Sequence, residues 1–171
     1  MYSERPRLLL TLQPMDKWLE ILALNGLIVL WIFCIRSYTI LPEIIPTHFS
    51  GSGVVDGHGS KATLFILPVI ATVIFLLLSV LNKYPYVFNY MVVITSDNAE
   101  RQYRLVTRLL RQLKLIIILL FGGISFAIIA SVNDGSIARW VGLFVPIISL
   151  LLIMPTIFYI VKSAKSKTRV N

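Results

Sequence analysis

Charge is what this sequence has least of. Only 14% of its 171 residues are Asp, Glu, Lys or Arg, where soluble domains carry roughly a quarter. Too few charges remain to cover a water-facing surface, which excludes an ordinary soluble fold. Cysteine is nearly absent: Cys34 is the single one. It has no partner for an internal disulfide and says little about redox compartment. Anions are scarce, 8 against 16 cations, for a formal net charge of +8. An excess of that sign can mark nucleic-acid binding. Here the cations flank apolar runs, so their partner is the membrane surface and not nucleic acid. The apolar runs do not alternate with polar residues, which argues against a barrel.

What is present is apolar surface. The chain is 57% hydrophobic, with a mean hydropathy of +0.82. Four runs stand out: Trp18 to about Ile35, Ala62 to Leu81, Leu115 to about Val132, and Ala138 to Val161. Each is near the ~20 residues that cross a ~30 Å hydrocarbon core, and none has a charge at its centre. In lipid the backbone must bond to itself, so the runs predict four transmembrane helices. The length fits a single membrane domain over 1–171. The first run does not read as a signal peptide. It begins only after Lys17, is long enough to span, and leads into Arg36-Ser37-Tyr38-Thr39 with no small-residue cleavage site.

Lys and Arg set the orientation. Arg5, Arg7 and Lys17 precede the first run. Lys83, Arg101, Arg104, Arg108, Arg111 and Lys114 lie between the second and third. Lys162, Lys165, Lys167 and Arg169 follow the fourth. The other connections hold Arg36, Lys61 and Arg139. The bias is about 13 against 3, which predicts both termini in the cytoplasm and a multi-pass protein of the cytoplasmic membrane.

The connections differ in kind. Asn133-Asp134-Gly135-Ser136 reads as a tight turn, so the third and fourth helices should be antiparallel neighbours. From Leu41 to Lys61, Pro42 and Pro46 favour extended chain, the glycines allow turns, and Ser60 is placed to cap the second helix. In the second connection, Val87 to Thr95 is aromatic and β-branched and reads as extended. Asp97-x-x-Glu100 resembles a capping box. The helix that follows runs unbroken into the third span. Pro68, Pro146 and Pro155 lie inside spans, where proline bends a helix.

Two patterns carry chemistry. Arg101, Arg104, Arg108 and Arg111 follow 3-4-3 spacing and share one helix face. Tyr103, Val106, Leu110 and Leu113 take the other side. This predicts a basic amphipathic helix on the cytoplasmic surface, facing anionic lipid headgroups at about 1 kcal/mol per charge or docking an acidic cytoplasmic regulator or a phosphorylated ligand. The outer loop holds Pro46-Thr47-His48-Phe49, then Gly53, then Asp56-Gly57-His58-Gly59-Ser60-Lys61. His48, Asp56 and His58 are the candidate metal ligands, since imidazole and carboxylate suit zinc. Their spacing matches no familiar metal site, and a structural loop with Asp56 in a turn is the competing reading. No catalytic residue and no cofactor is assigned. Within the first span, Glu20 is close enough to the interface to reach water, and Asn25 suits helix–helix bonding.

The stretch Leu41-Pro42-x-x-Ile45-Pro46-x-His48-Phe49, then Gly53, Asp56 and Lys61 resembles a signature loop. It belongs to a bacterial membrane family of unknown function that forms the N-terminal part of SdpI-type toxin-immunity proteins. Tyr84-Pro85, Phe88-Asn89-Tyr90, Ile94-Thr95, Asn98 and Gln102-Tyr103 are similar to the same family. The resemblance covers 18–114, leaving 115–162 as a C-terminal helical hairpin. His58 stands where the resemblance would place an aromatic, and the full immunity protein has more than four spans. The resemblance implies a small helical membrane protein with toxin immunity or membrane signalling as its role. Its ligand loop would be Pro46, His48, Phe49, Gly53, Asp56 and Lys61, meeting an extracellular peptide.

The expectation is therefore an all-α integral membrane protein with four spans and a structured outer loop. A cytoplasmic amphipathic helix leads into the third span. The function expected is non-catalytic. A metal-dependent membrane enzyme and a small-solute transporter or accessory subunit are the alternatives.

Overall fold

The computed structural model of the chain describes residues 5–51, 53–132 and 138–164. Helix α1 spans Pro14–Ile40, strands β1 and β2 span Ile44–Phe49 and Val55–Ser60, and a 3-10 turn over Lys61–Phe65 opens helix α2, Ile66–Leu81. Helices α3 and α4 span Ala99–Ser131 and Ala138–Ala164. Four helical stretches are long and apolar enough to cross a membrane: Pro14–Ile40, Lys61–Leu81, Ala99–Ser131 and Pro146–Ala164. Their outer faces carry Val29, Leu77, Phe126, Leu150 and Met154, each more than half exposed. Water would penalise such a surface, and lipid does not.

Helix α1 outruns its apolar core at both ends. Pro14 fits the first helical position, where a missing N–H costs nothing, and the Gln13 N–H donates to the Asp16 carboxylate at 3.1 Å. At the far end Leu41 turns extended before Pro42, as the ring of a following proline demands. Helix α3 is 33 residues long, about 50 Å at 1.5 Å per residue. That exceeds the ~30 Å hydrocarbon core. It packs against α1, α2 and α4.

One core joins the helices to the connection between α1 and α2. Ala23, Leu27, Leu30 and Cys34 of α1 meet Leu64, Ala71 and Ile118, and the cluster continues through Leu41 and Ile45 into β1. Trp31 Nε1 donates to the Thr72 hydroxyl at 3.0 Å, tying α1 to α2. At Gly26 an added Cβ would stand 3.1 Å from an Ile118 methyl, so α1 and α3 approach closely there. The start of α3 meets the end of α4: the Ser163 hydroxyl donates to the Gln102 side chain at 2.7 Å. These two helices are therefore antiparallel neighbours, as expected. The turn 133–136, Lys165, Lys167 and Arg169 lie outside the described residues.

Three local expectations are corrected. The outer loop is an antiparallel hairpin, pairing Ile44 with Ser60, Pro46 with His58 and His48 with Gly57. The all-α expectation therefore misses two strands. β2 has little strand propensity, and its pairing depends on glycines facing β1 side chains. Residues 87–95 form no strand. A 3-10 turn at Pro85–Val87 opens the segment, which is held by side-chain bonds such as Tyr90 Oη to the Pro85 carbonyl at 2.7 Å. The Asp97–Glu100 box does not form. Asn98 is the N-cap, bonded to Thr95 N–H and the Val93 carbonyl, while Glu100 is taken by Arg104 at 2.9 Å. The Ser60 cap is present, its hydroxyl accepting from Ala62 N–H at 3.3 Å.

An alanine at Gly57 would put its Cβ 2.9 Å from His48 Cβ, whereas nothing lies within 4 Å at Gly51. Gly57→Ala should therefore destabilise the hairpin by about 1–3 kcal/mol, the usual overpacking cost. Gly51→Ala should not. Hydrogen exchange of amides 44–60 distinguishes the two.

Candidate functional site

The chain places its polar side chains at two opposite ends. At one end the hairpin stands on the helices. Pro46 and Ile45 are buried, Phe49 is half-buried, and the exposed positions of β2 include Asp56 and His58. Gly53 makes the turn with φ 78°, a left-handed conformation that favours glycine. His48 Nδ1 lies 2.5 Å from Asp56 Oδ1 on the exposed face. His58 lies two residues from Asp56 on the same side of the strand. Among the described residues no cluster of three His, Cys, Asp or Glu groups forms.

Lys61 anchors the hairpin's base. Its ammonium lies 3.0 Å from Glu43, 3.3 Å from the Leu41 carbonyl and 4.8 Å from the Tyr38 ring centroid. One side chain thus links the end of α1, the residue before β1 and the entry to α2. Gly59 faces Thr47, where an added Cβ would stand 3.1 Å from the threonine methyl.

At the other end an ion-pair ladder joins α1 to α3. Arg108 Nε bonds Asp16 at 2.9 Å and its Nη2 bonds Gln13 Oε1 at 2.5 Å. One turn further on, Glu20 accepts from Arg111 Nε at 3.1 Å and from Lys114 Nζ at 2.5 Å. Lys114 is fully buried and Arg111 nearly so. The Lys114 ammonium also reaches the Ser79 hydroxyl at 2.9 Å and the Phe75 ring, 4.5 Å to its centroid. Its three donors therefore meet an anion, a hydroxyl and a π face.

The arginine stripe was expected to face headgroups, and most of it faces the protein. Arg104 bonds Glu100 and the Thr11 carbonyl at 2.9 Å, and Arg108 and Arg111 hold the ladder. Arg101 donates to the Lys162 carbonyl at 3.1 Å. Pairing with the carboxylates of α1 spares both partners a lone buried charge near lipid. Glu20 accordingly turns into the bundle, where an escape to the interface was expected. Asn25 bonds the Ile21 carbonyl of its own helix at 2.8 Å, so it does not bridge helices. A detectable sequence signal existed: Gln13, Asp16 and Glu20 repeat at 3-4 spacing, complementary to Arg108, Arg111 and Lys114.

Residues before α1 strap across the second connection. Arg5 donates to the Tyr86 carbonyl at 3.1 Å and to the Phe88 carbonyl, and lies 5.7 Å from the Tyr90 ring centroid. Tyr90 packs with Val92, Ile94, Ala99 and Tyr103. Burial pushes its hydroxyl well above the usual phenol range, helped by Tyr159 and Tyr103 and opposed by Arg5. It stays a neutral donor to Pro85.

The family described as Domain of unknown function (DUF1648) matches residues 25–72. That stretch begins at Asn25 in α1, contains the whole hairpin, and ends at Thr72, the partner of Trp31. An uncharacterized protein of the archaeon Archaeoglobus fulgidus is 31% identical over 130 residues, covering 68% of this chain and 71% of that protein. No solved structure matches the chain.

The ladder makes a stability prediction. Glu20→Gln leaves Arg111 and Lys114 facing a neutral group. The loss should be about 3 kcal/mol, the low end for breaking a buried pair, since Glu20 keeps partial contact with solvent. Adding Lys114→Met should restore more than half of it. Thermal unfolding of the purified proteins in detergent reads both.

Proposed function

Since this chain belongs to a family of DUF1648-containing membrane proteins, we propose that it is a non-catalytic sensing or immunity protein of the SdpI type. It lies in the cytoplasmic membrane, and its hairpin meets an extracellular peptide. One observation carries this reading. The family-matched residues 25–72 centre on a folded, exposed hairpin that is rigidly tied to the helical core through Ile45 and Lys61. A surface held this way can report contact to the helices beneath it. His48, Asp56 and His58 form its polar face, with Phe49 at its edge, and Gly53 and Lys61 hold its shape.

The orientation follows from charge. The end that carries the ladder also carries Arg5, Arg7, Lys17, Lys83, Arg101, Arg104 and Lys162, while the described hairpin end carries Arg36 and Lys61. The positive-inside rule puts the ladder end in the cytoplasm, N-in and C-in, among anionic headgroups. A regulator approaching from the cytoplasm would meet this same face. The first turns of α3 form its amphipathic part.

A loop serine helps to close the hairpin turn. The Ser50 hydroxyl accepts from Val54 N–H at 3.1 Å within the hairpin turn.

Two measurements test the reading. In a Cys34→Ala background, Gly51→Cys should react with a membrane-impermeant maleimide on intact cells, and Ser96→Cys only after lysis. The opposite pattern inverts the topology. Cells expressing the chain should survive at least one member of a panel of secreted antibacterial peptides. His48→Ala and Asp56→Ala should each raise sensitivity by about tenfold, the effect of one lost anchoring contact. Unchanged survival across the panel would count against a sensing hairpin of this kind.

A further inference from the structure

We propose that the cleft between the start of α3 and the end of α4 is a discrete site for a phosphate-bearing anion, a lipid headgroup or a free phosphomonoester. The proposal sharpens the reading of the basic end as an interfacial surface and rests on that reading only for the side of the membrane it faces. The cleft has a volume of about 330 Å³ and is lined by Gln13, Glu100, Arg101, Arg104, Arg108 and Lys162. That is the small end of the ~300–1,000 Å³ range of ligand clefts, right for a headgroup.

The charge in it is unbalanced in a specific way. Arg104 is matched by Glu100 and Arg108 by Asp16. Among the described residues, no carboxylate pairs with Arg101 or Lys162. Arg101 spends one of its five N–H donors, on the Lys162 carbonyl. The Lys162 ammonium rests over the Phe158 ring, 4.8 Å from its centroid. Two cations from two helices thus border one cleft with donors to spare.

A tetrahedral anion suits this arrangement better than a flat carboxylate. Its oxygens point several ways and can meet a guanidinium on one wall and an ammonium on the other, in charge-assisted bonds. The surroundings suit a lipid. Phe158, Met154 and Val161 are exposed on the apolar face of α4, leading away from Lys162 along the direction an acyl chain would take.

The test uses the purified full chain in a neutral detergent, where sidedness plays no part, so failure of the topology and failure of the site are distinguishable. Thermal unfolding is titrated with dihexanoyl phosphatidic acid, dihexanoyl phosphatidylcholine and glycerol 3-phosphate at constant ionic strength. A saturable rise with phosphatidic acid alone supports a lipid site. A rise with glycerol 3-phosphate as well supports a site for free phosphomonoesters. Arg101→Gln and Lys162→Gln should each weaken half-saturation by about fivefold. The second leaves the backbone carbonyl that Arg101 uses in place, so it separates binding from packing. Glu100→Gln, which removes the cleft's own carboxylate, should tighten it. No rise with either phosphate compound, an equal rise with phosphatidylcholine, or unchanged half-saturation in Lys162→Gln would overturn the site.

Discussion

The Lys114 ammonium is fully buried, and the bundle is arranged around its pairing. Glu20 must turn inward from α1 to meet it, Ser79 must come from α2, and Phe75 must offer its ring. Three helices converge on one ammonium. Moving any of them would strand a charge beside lipid, which is far costlier than misplacing an apolar side chain. The Arg108–Asp16 pair, one turn toward the helix starts, extends the same constraint. Together they set α1 parallel to α3, since the acids advance along α1 in step with the cations along α3.

The hairpin depends on a different kind of constraint. Nothing in the apolar core requires strands there. They form because glycines let β2 approach β1 at His48 and Thr47, and because Leu41, Ile45 and Lys61 tie the base to α1 and α2. The result is an exposed polar face on a rigid stem. The bundle is therefore polar at both ends for opposite reasons: most of the charge on the ladder itself is consumed in packing, while His48, Asp56 and His58 of the hairpin face outward.

That contrast revises the meaning of the arginine stripe. A stripe read alone suggests a free basic surface. In the folded chain Arg104 and Arg108 have carboxylate partners and Arg111 shares Glu20 with Lys114. The charge left over is that of Arg101, and it gains a companion in Lys162 from the far end of the sequence. What survives is a small cleft bordered by two cations that, among the described residues, have no carboxylate partner, a more selective object than a basic face.

The four apolar helices were legible in the amino-acid order, because an apolar run of membrane length has only the helix to satisfy its backbone in lipid. Charge bias along the chain also sufficed to predict an orientation. The Ser60 cap and the antiparallel pairing of α3 and α4 were legible as well, being local or decided by a short connection. The tertiary structure alone decided that Glu20 faces inward, since a carboxylate near a helix end can turn to water or to a cation, and only the position of α3 chooses. It alone decided the pairing of β2, whose glycines carry no strand preference until another strand lies against them. It also joined Lys162 to Arg101 across the two helices. Spans follow from the solvent around a segment, whereas partners depend on which segments meet.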